Sequence, residues 1–148
     1  MEWPGLDLVS PQALPAQIAE TINEATKRQV YSLFSGQQAE RRFIPFVAVH
    51  EFEALLFSDA RTLAAQLGID ESTVTSVISE SGSPEAINNS PQTAPSKRLD
   101  SWSANGKFLK TTMGIKIAQA IGIEKIRKKC HLFDGWLTRF EEIQRGVQ

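Results

Sequence analysis

The pattern of apolar and polar positions changes period at His50, near the middle of the first hundred residues. Before it, residues 43–49 (FIPFVAV) form an unbroken apolar and β-branched run with one early proline, which predicts a strand buried on both faces of a parallel sheet. After it, the apolar residues fall at Phe52, Leu55 and Leu56 while Glu51, Glu53 and Asp59 carry charge, so the chain is expected to leave the sheet and start a helix. His50, Glu51 and Glu53 would then sit at a strand's C-terminal end, the edge at which open α/β sheets bind ligands.

The flanking pattern is helical. Ser10-Pro11 and Pro15 offer starts for a helix with Leu14, Ile18, Ile22 and Ala25 on one face. Asp59 or Ser58 is expected to cap a short helix carrying Leu63 and Leu67 and ending at Gly68, and Asp70 a third carrying Val74, Val77 and Ile78 and ending near Gly82. Ser83-Pro84-Glu85 opens a single turn, and NNSPQTAP reads as a loop without core side chains. Ser96 is the expected cap of the next helix. Beyond it, Met113, Ile117 and Ile121, then Ile123 and Ile126, then Leu132, Phe133, Trp136, Leu137, Phe140 and Ile143 mark three amphipathic helices, the aromatic stripe reading as core. The expected fold class is α/β, a partial parallel sheet flanked by helices with a mostly helical C-terminal part.

Composition narrows the class. With 148 residues, 41% of them apolar and 22% charged, the chain has the size and balance of one globular domain. It contains neither a membrane-length apolar segment nor a signal-peptide pattern, and its single Cys130 cannot form an internal disulfide, so a cytoplasmic location is expected. The net charge of −1 hides an asymmetry: His50 to Ala94 carries seven acidic residues against Arg61, and Lys97 to Lys129 carries nine basic residues against Asp100 and Glu124. Such neighbours suit a site that holds a metal ion and grips a polyanion; they equally suit two oppositely charged solvated faces.

Two constellations carry chemistry. In His50-x-x-Glu53 the side chains share a face at helical spacing, able to ligate one ion or to pair a base with its orienting carboxylate; alternatively the acids simply favour a helix N-terminus. In Ser96-Lys97-Arg98 two cations stand in a first helical turn, against the macrodipole, which points to an anionic ligand such as phosphate. There is no G-x-S-x-G elbow for a hydrolase triad and no glycine-rich phosphate loop.

The runs FIPFVAVHEFEALLFSD, SPEAINNSPQTAPSKRL, FLKTTMGIKIAQAIGIEKIR and CHLFDGWL resemble the successive motifs of domain of unknown function family 4276, over nearly the whole chain. The resemblance implies a Toprim-like, RloG-like protein linked to bacterial restriction and phage-defence loci. By position, the family's polar motif residues fall on His50, Glu51, Glu53, Glu85, Asn88, Ser96, Lys97, Arg98 and Lys110. Family members begin with strands and a glutamate-bearing motif that precede a W-P-G turn, and this chain starts at that turn, Trp3-Pro4-Gly5. A single domain, residues 1–148, lacking the family's N-terminal strands is therefore expected, one that oligomerises or needs the missing segment.

Two functions are consistent with these residues. One is a metal-dependent nuclease or phosphotransfer enzyme, with His50, Glu51 and Glu53 as catalytic residues, Glu51 and Glu53 holding Mg²⁺, and Ser96, Lys97, Arg98 and Lys110 holding phosphates. The other is a non-catalytic module that binds nucleic acid or a nucleotide, or docks a partner ATPase.

Overall fold

A computed structural model describes residues 3–87 and 90–145, without the side chain of Gln144. The chain divides into two compact units, Met1–Val49 with Gly135–Gln148, and His50–Asp134. In the first, a 3-10 turn (Leu6–Leu8) precedes α1 (Pro15–Leu33), and a second 3-10 turn (Ser35–Gln37) precedes α2 (Ala39–Arg42). The other unit begins with a 3-10 helix (Phe52–Ser58), followed by α3 (Ala60–Leu67), α4 (Glu71–Ser81), a 3-10 turn (Pro84–Ala86) and α5 (Pro95–Trp102). A π-helical turn (Lys110–Gly114) then leads into α6 (Ile115–Ile121), α7 (Ile123–Lys129) and α8 (His131–Arg145), which continues into the first unit.

The expected parallel sheet is not there: among the described residues no strand occurs, so the α/β class is corrected to helical. The segment enters extended at Phe43, with φ −117° and ψ 117°, but residues 43–49 join no ladder and none of them is fully buried. Pro45 withdraws one donor. Phe46 instead stacks on Trp136 of α8, with centroids 4.8 Å apart and planes 22° from parallel, and Phe140 meets Trp136 edge-on at 5.1 Å. An apolar run records that it is to be covered, not what covers it. Here a helix's aromatic side chain takes the place of neighbouring strands.

The helices that the pattern did predict follow their expected chemistry. Asp59 caps α3 by accepting from the Thr62 N–H at 3.1 Å, and Gly68 closes that helix at φ 70°. Asp70 caps α4 through the Ser72 N–H at 2.7 Å. Leu56, Phe57, Leu63, Val74, Leu99 and Ile117 form the centre of the core of the His50–Asp134 unit. Contrary to the expected loop without core residues, Ala94 and Pro95 are buried. Cys130 is fully buried with its Sγ 3.2 Å from the Ser58 Oγ, and burial pushes the thiol up to about 11, which keeps it protonated and inert at neutral pH. Among the described residues no helix is long and apolar enough to cross a membrane.

Ion pairs join the acidic segment to the basic one. Asp59 reaches Lys125 of α7 and Glu53 reaches Lys110, so the two halves of the charge asymmetry brace each other across the unit. Burial pushes the Asp59 carboxyl up, but hydrogen bonds from the Lys125 ammonium and from the Thr62 N–H and hydroxyl outweigh this and hold it below its ordinary value.

The Trp3-Pro4-Gly5 turn packs on α1. Gly5 has φ +80°, and a Cβ there would lie 2.6 Å from Ala25 Cβ and 3.2 Å from the Thr21 carbonyl oxygen. Gly5→Ala therefore meets both a left-handed backbone and a helix surface, and should destabilise the protein by about 1–3 kcal/mol in denaturant unfolding.

Asp59 sets a second expectation. A carboxylate whose folded pKa is depressed stabilises the fold above its unfolded value of about 4, and the benefit is lost as pH falls through the folded value. Asp59→Asn should lower thermal stability at pH 7 and flatten the decline below about pH 4 relative to the unmutated protein.

Candidate functional site

The segment after His50 is helical, but with three residues per turn. In a 3-10 helix residues i and i+3 eclipse, so Glu53 stacks with Leu56, Ala54 with Phe57, and Phe52 with Leu55. The first two rows are buried; in the third, which continues to Ser58, Leu55 packs against the core and Ser58 is buried, so Phe52 alone faces outward, which inverts the sequence expectation at this point: Glu53 is 4% exposed and Phe52 is 64% exposed.

Burying a carboxylate requires a partner. Lys110, the first residue of the π-helical turn, supplies it by placing its ammonium on Glu53 Oε1, which has no hydrogen-bond partner besides this ion pair. The Glu53 carboxylate holds the Lys110 ammonium above its ordinary pKa, with Glu51 and Asp100 adding attraction. The turn itself is drawn tight by the Leu109 carbonyl, which accepts from the N–H groups of Thr112, Met113 and Gly114 at 3.3, 2.8 and 3.2 Å. Single π turns of this kind are common at functional sites.

Glu51 does a different task. Its Oε2 accepts from the Ser96 N–H at 2.7 Å and its Oε1 from the Ser96 hydroxyl at 2.8 Å, so one carboxylate from 45 residues away covers the N-terminus of α5. Ser96 is thus the second residue of α5 rather than its cap, since Pro95 takes the first position. The anion that the sequence predicts at this terminus is supplied by the protein itself. Lys97 is exposed, and Arg98 turns its Nε back to the Thr93 carbonyl at 2.9 Å.

Glu85 repeats the device. Its two carboxylate oxygens accept from the N–H groups of Leu132 and Phe133, each at 2.9 Å, at the first turn of α8. Asn88 lies outside the described residues. His50 is partly buried, with Nδ1 making no hydrogen bond, and desolvation lowers its pKa, so it is neutral at pH 7.

The structure therefore brings Glu51, Glu53, Ser96 and Lys110 together, with Lys97 exposed and Arg98 half-buried in the first turn of the helix that Glu51 covers. Sequence reasoning missed Asp100, whose Oδ1 accepts from the Phe108 N–H at 2.8 Å and so ties down the loop that delivers Lys110. It also missed Phe52 as a surface residue, and Lys107 and Lys116, exposed on either side of the π turn. An acid eight residues before a buried aromatic was the only available signal for Asp100.

Mg²⁺ needs oxygens that face outward; it usually takes one or two carboxylates together with water and substrate phosphate. The oxygens of Glu51 are taken by Ser96, and the buried Glu53 Oε1 by Lys110, so as they stand the two carboxylates do not fit an ion. Among the described residues no group of three or more His, Cys, Asp or Glu side chains is arranged to hold one.

The sequence model of a family described as "Domain of unknown function (DUF4276)" matches residues 6–141. No curated protein and no solved structure matches the chain.

The Glu51–Ser96 pair is testable by itself. A hydrogen bond to a charged group contributes about 1.5–3 kcal/mol, so Glu51→Ala and Ser96→Ala should each destabilise the protein. The double variant should cost less than the sum of the two, a coupling that a double-mutant cycle in denaturant measures directly.

Proposed function

We propose, for a chain that belongs to the DUF4276 family of domains of unknown function, that the His50–Asp134 unit binds nucleic acid through its lysines while its carboxylates serve as scaffold. One observation carries this reading. The acids of the cluster are committed inward, to Ser96, Lys110 and the start of α8, whereas Lys97, Lys107 and Lys116 stand exposed with no acidic partner among the described residues. Exposed cations without internal partners are available to phosphates, which supply most of the affinity and all of the salt dependence of non-specific nucleic-acid binding.

The elements that carry or adjoin these lysines border a common neighbour, since α5, the π turn and α6 all pack on the 3-10 helix Phe52–Ser58. Lys97 lies in the first turn of α5, Lys107 in the loop that Asp100 anchors, and Lys116 in the first turn of α6, which packs on the π turn. Lys110 is the neutralising partner of Glu53 and contributes charge to the same region without being free to leave it. Replacing Lys110 would orphan a buried carboxylate, so its loss mixes folding with binding.

Lys97→Ala, Lys107→Ala and Lys116→Ala should each weaken binding of a labelled oligonucleotide with little effect on unfolding. Each lysine that neutralises a phosphate should, when replaced, flatten the slope of log affinity against log salt by about 0.7–0.9. Unchanged affinity and slope in the triple variant would overturn this reading in favour of docking to a protein such as an ATPase. Mg²⁺-dependent nicking of plasmid DNA by the unmutated protein would replace the binding module with a nuclease.

A further inference from the structure

Phe52 is the feature that the scaffold leaves unexplained. It is 64% exposed, although the residues on both sides of it are held in place, Glu51 by Ser96 and Glu53 by Lys110. Phe52 is the exposed member of a row whose Leu55 packs on the core and whose Ser58 is buried, and the ion pair holds the neighbouring Glu53, so the ring stands on an anchored segment rather than on a loose loop. Two further apolar side chains are half-exposed at the ends of the π turn, Leu109 at 49% and Ile115 at 55%. Lys107, Lys110 and Lys116 alternate with them along the chain.

We infer that Phe52 is a stacking platform for an unpaired base, and that the nucleic acid bound by this unit is single-stranded. The inference rests on the nucleic-acid reading above and narrows it. An exposed aromatic ring on a helix that packs against the lysine-bearing α5, π turn and α6 matches the two halves of a single strand: a base has a π face for the ring, and its phosphates pair with ammonium groups. A duplex keeps its base faces stacked on one another and offers an isolated ring nothing to stack on. The two glutamates that flank Phe52 are engaged with Ser96 and Lys110, so the ring sits where a base is accepted and a phosphate is not, while Lys97, Lys107 and Lys116 remain for the backbone.

The test compares an oligo-dT single strand with a duplex of equal length, using the full chain. The unmutated protein should prefer the single strand. Phe52→Ala should weaken that binding at least about fivefold, the lower end of what one stacked base contributes, with its salt slope unchanged because every lysine–phosphate pair is kept. Phe52→Trp should restore the affinity or raise it, which loss of folding would not allow. Equal single-strand affinity in Phe52→Ala, or equal losses in Phe52→Ala and Phe52→Trp, would overturn the stacking role. Preference for the duplex, with binding lost only in the lysine variants, would overturn the single-strand inference and leave the nucleic-acid reading standing. Failure of the unmutated protein to bind either form would overturn both.

Discussion

The N-termini of two helices, α5 and α8, are covered by carboxylates from far along the chain. α5 and α7 have eight and seven residues, too few to be stable alone in water, and α8 must be started where the preceding helix stops. Glu51 closes α5 and Glu85 starts α8, each with both oxygens on hydrogen-bond donors of the helix that it serves. Such bonds cannot form until distant segments have met, so helix formation and tertiary packing are coupled. The short helices of the His50–Asp134 unit stand or fall with the packing between them.

The same coupling shapes the candidate site. A carboxylate that holds a helix terminus is not free to hold an ion, and a lysine that neutralises a buried glutamate is not free to follow a phosphate. Among the side chains that the scaffold does not use are Lys97, Lys107 and Lys116 for charge, and Phe52 for stacking on an aromatic face. Rigidity is the gain. Asp100 holds the Phe108 N–H next to Lys107 and Glu53 holds Lys110, so Lys107 is presented beside an anchored segment. Ordered cations lose less conformational entropy when a polyanion binds.

The amino-acid sequence by itself determined the helices whose signals are local. The caps Asp59 and Asp70, the stops at Gly68 and Gly82, and the rows Val74–Val77 and Ile117–Ile121 are readable because each depends on residues within a turn or two. Family membership was equally legible, since it rests on motif order. Tertiary structure alone decided the rest. Residues 43–49 are apolar enough for a buried strand, but pairing depends on a neighbour, and Phe46 met the Trp136 ring instead of a strand. Glu51 and Glu53 have the composition of metal ligands, yet an oxygen's task depends on which donor reaches it first, and here Ser96 and Lys110 do. That Glu53 is buried and Phe52 exposed in the seven-residue 3-10 helix was likewise decided by packing, because a carboxylate goes inside only where a partner, here Lys110 from a distant turn, is brought to meet it.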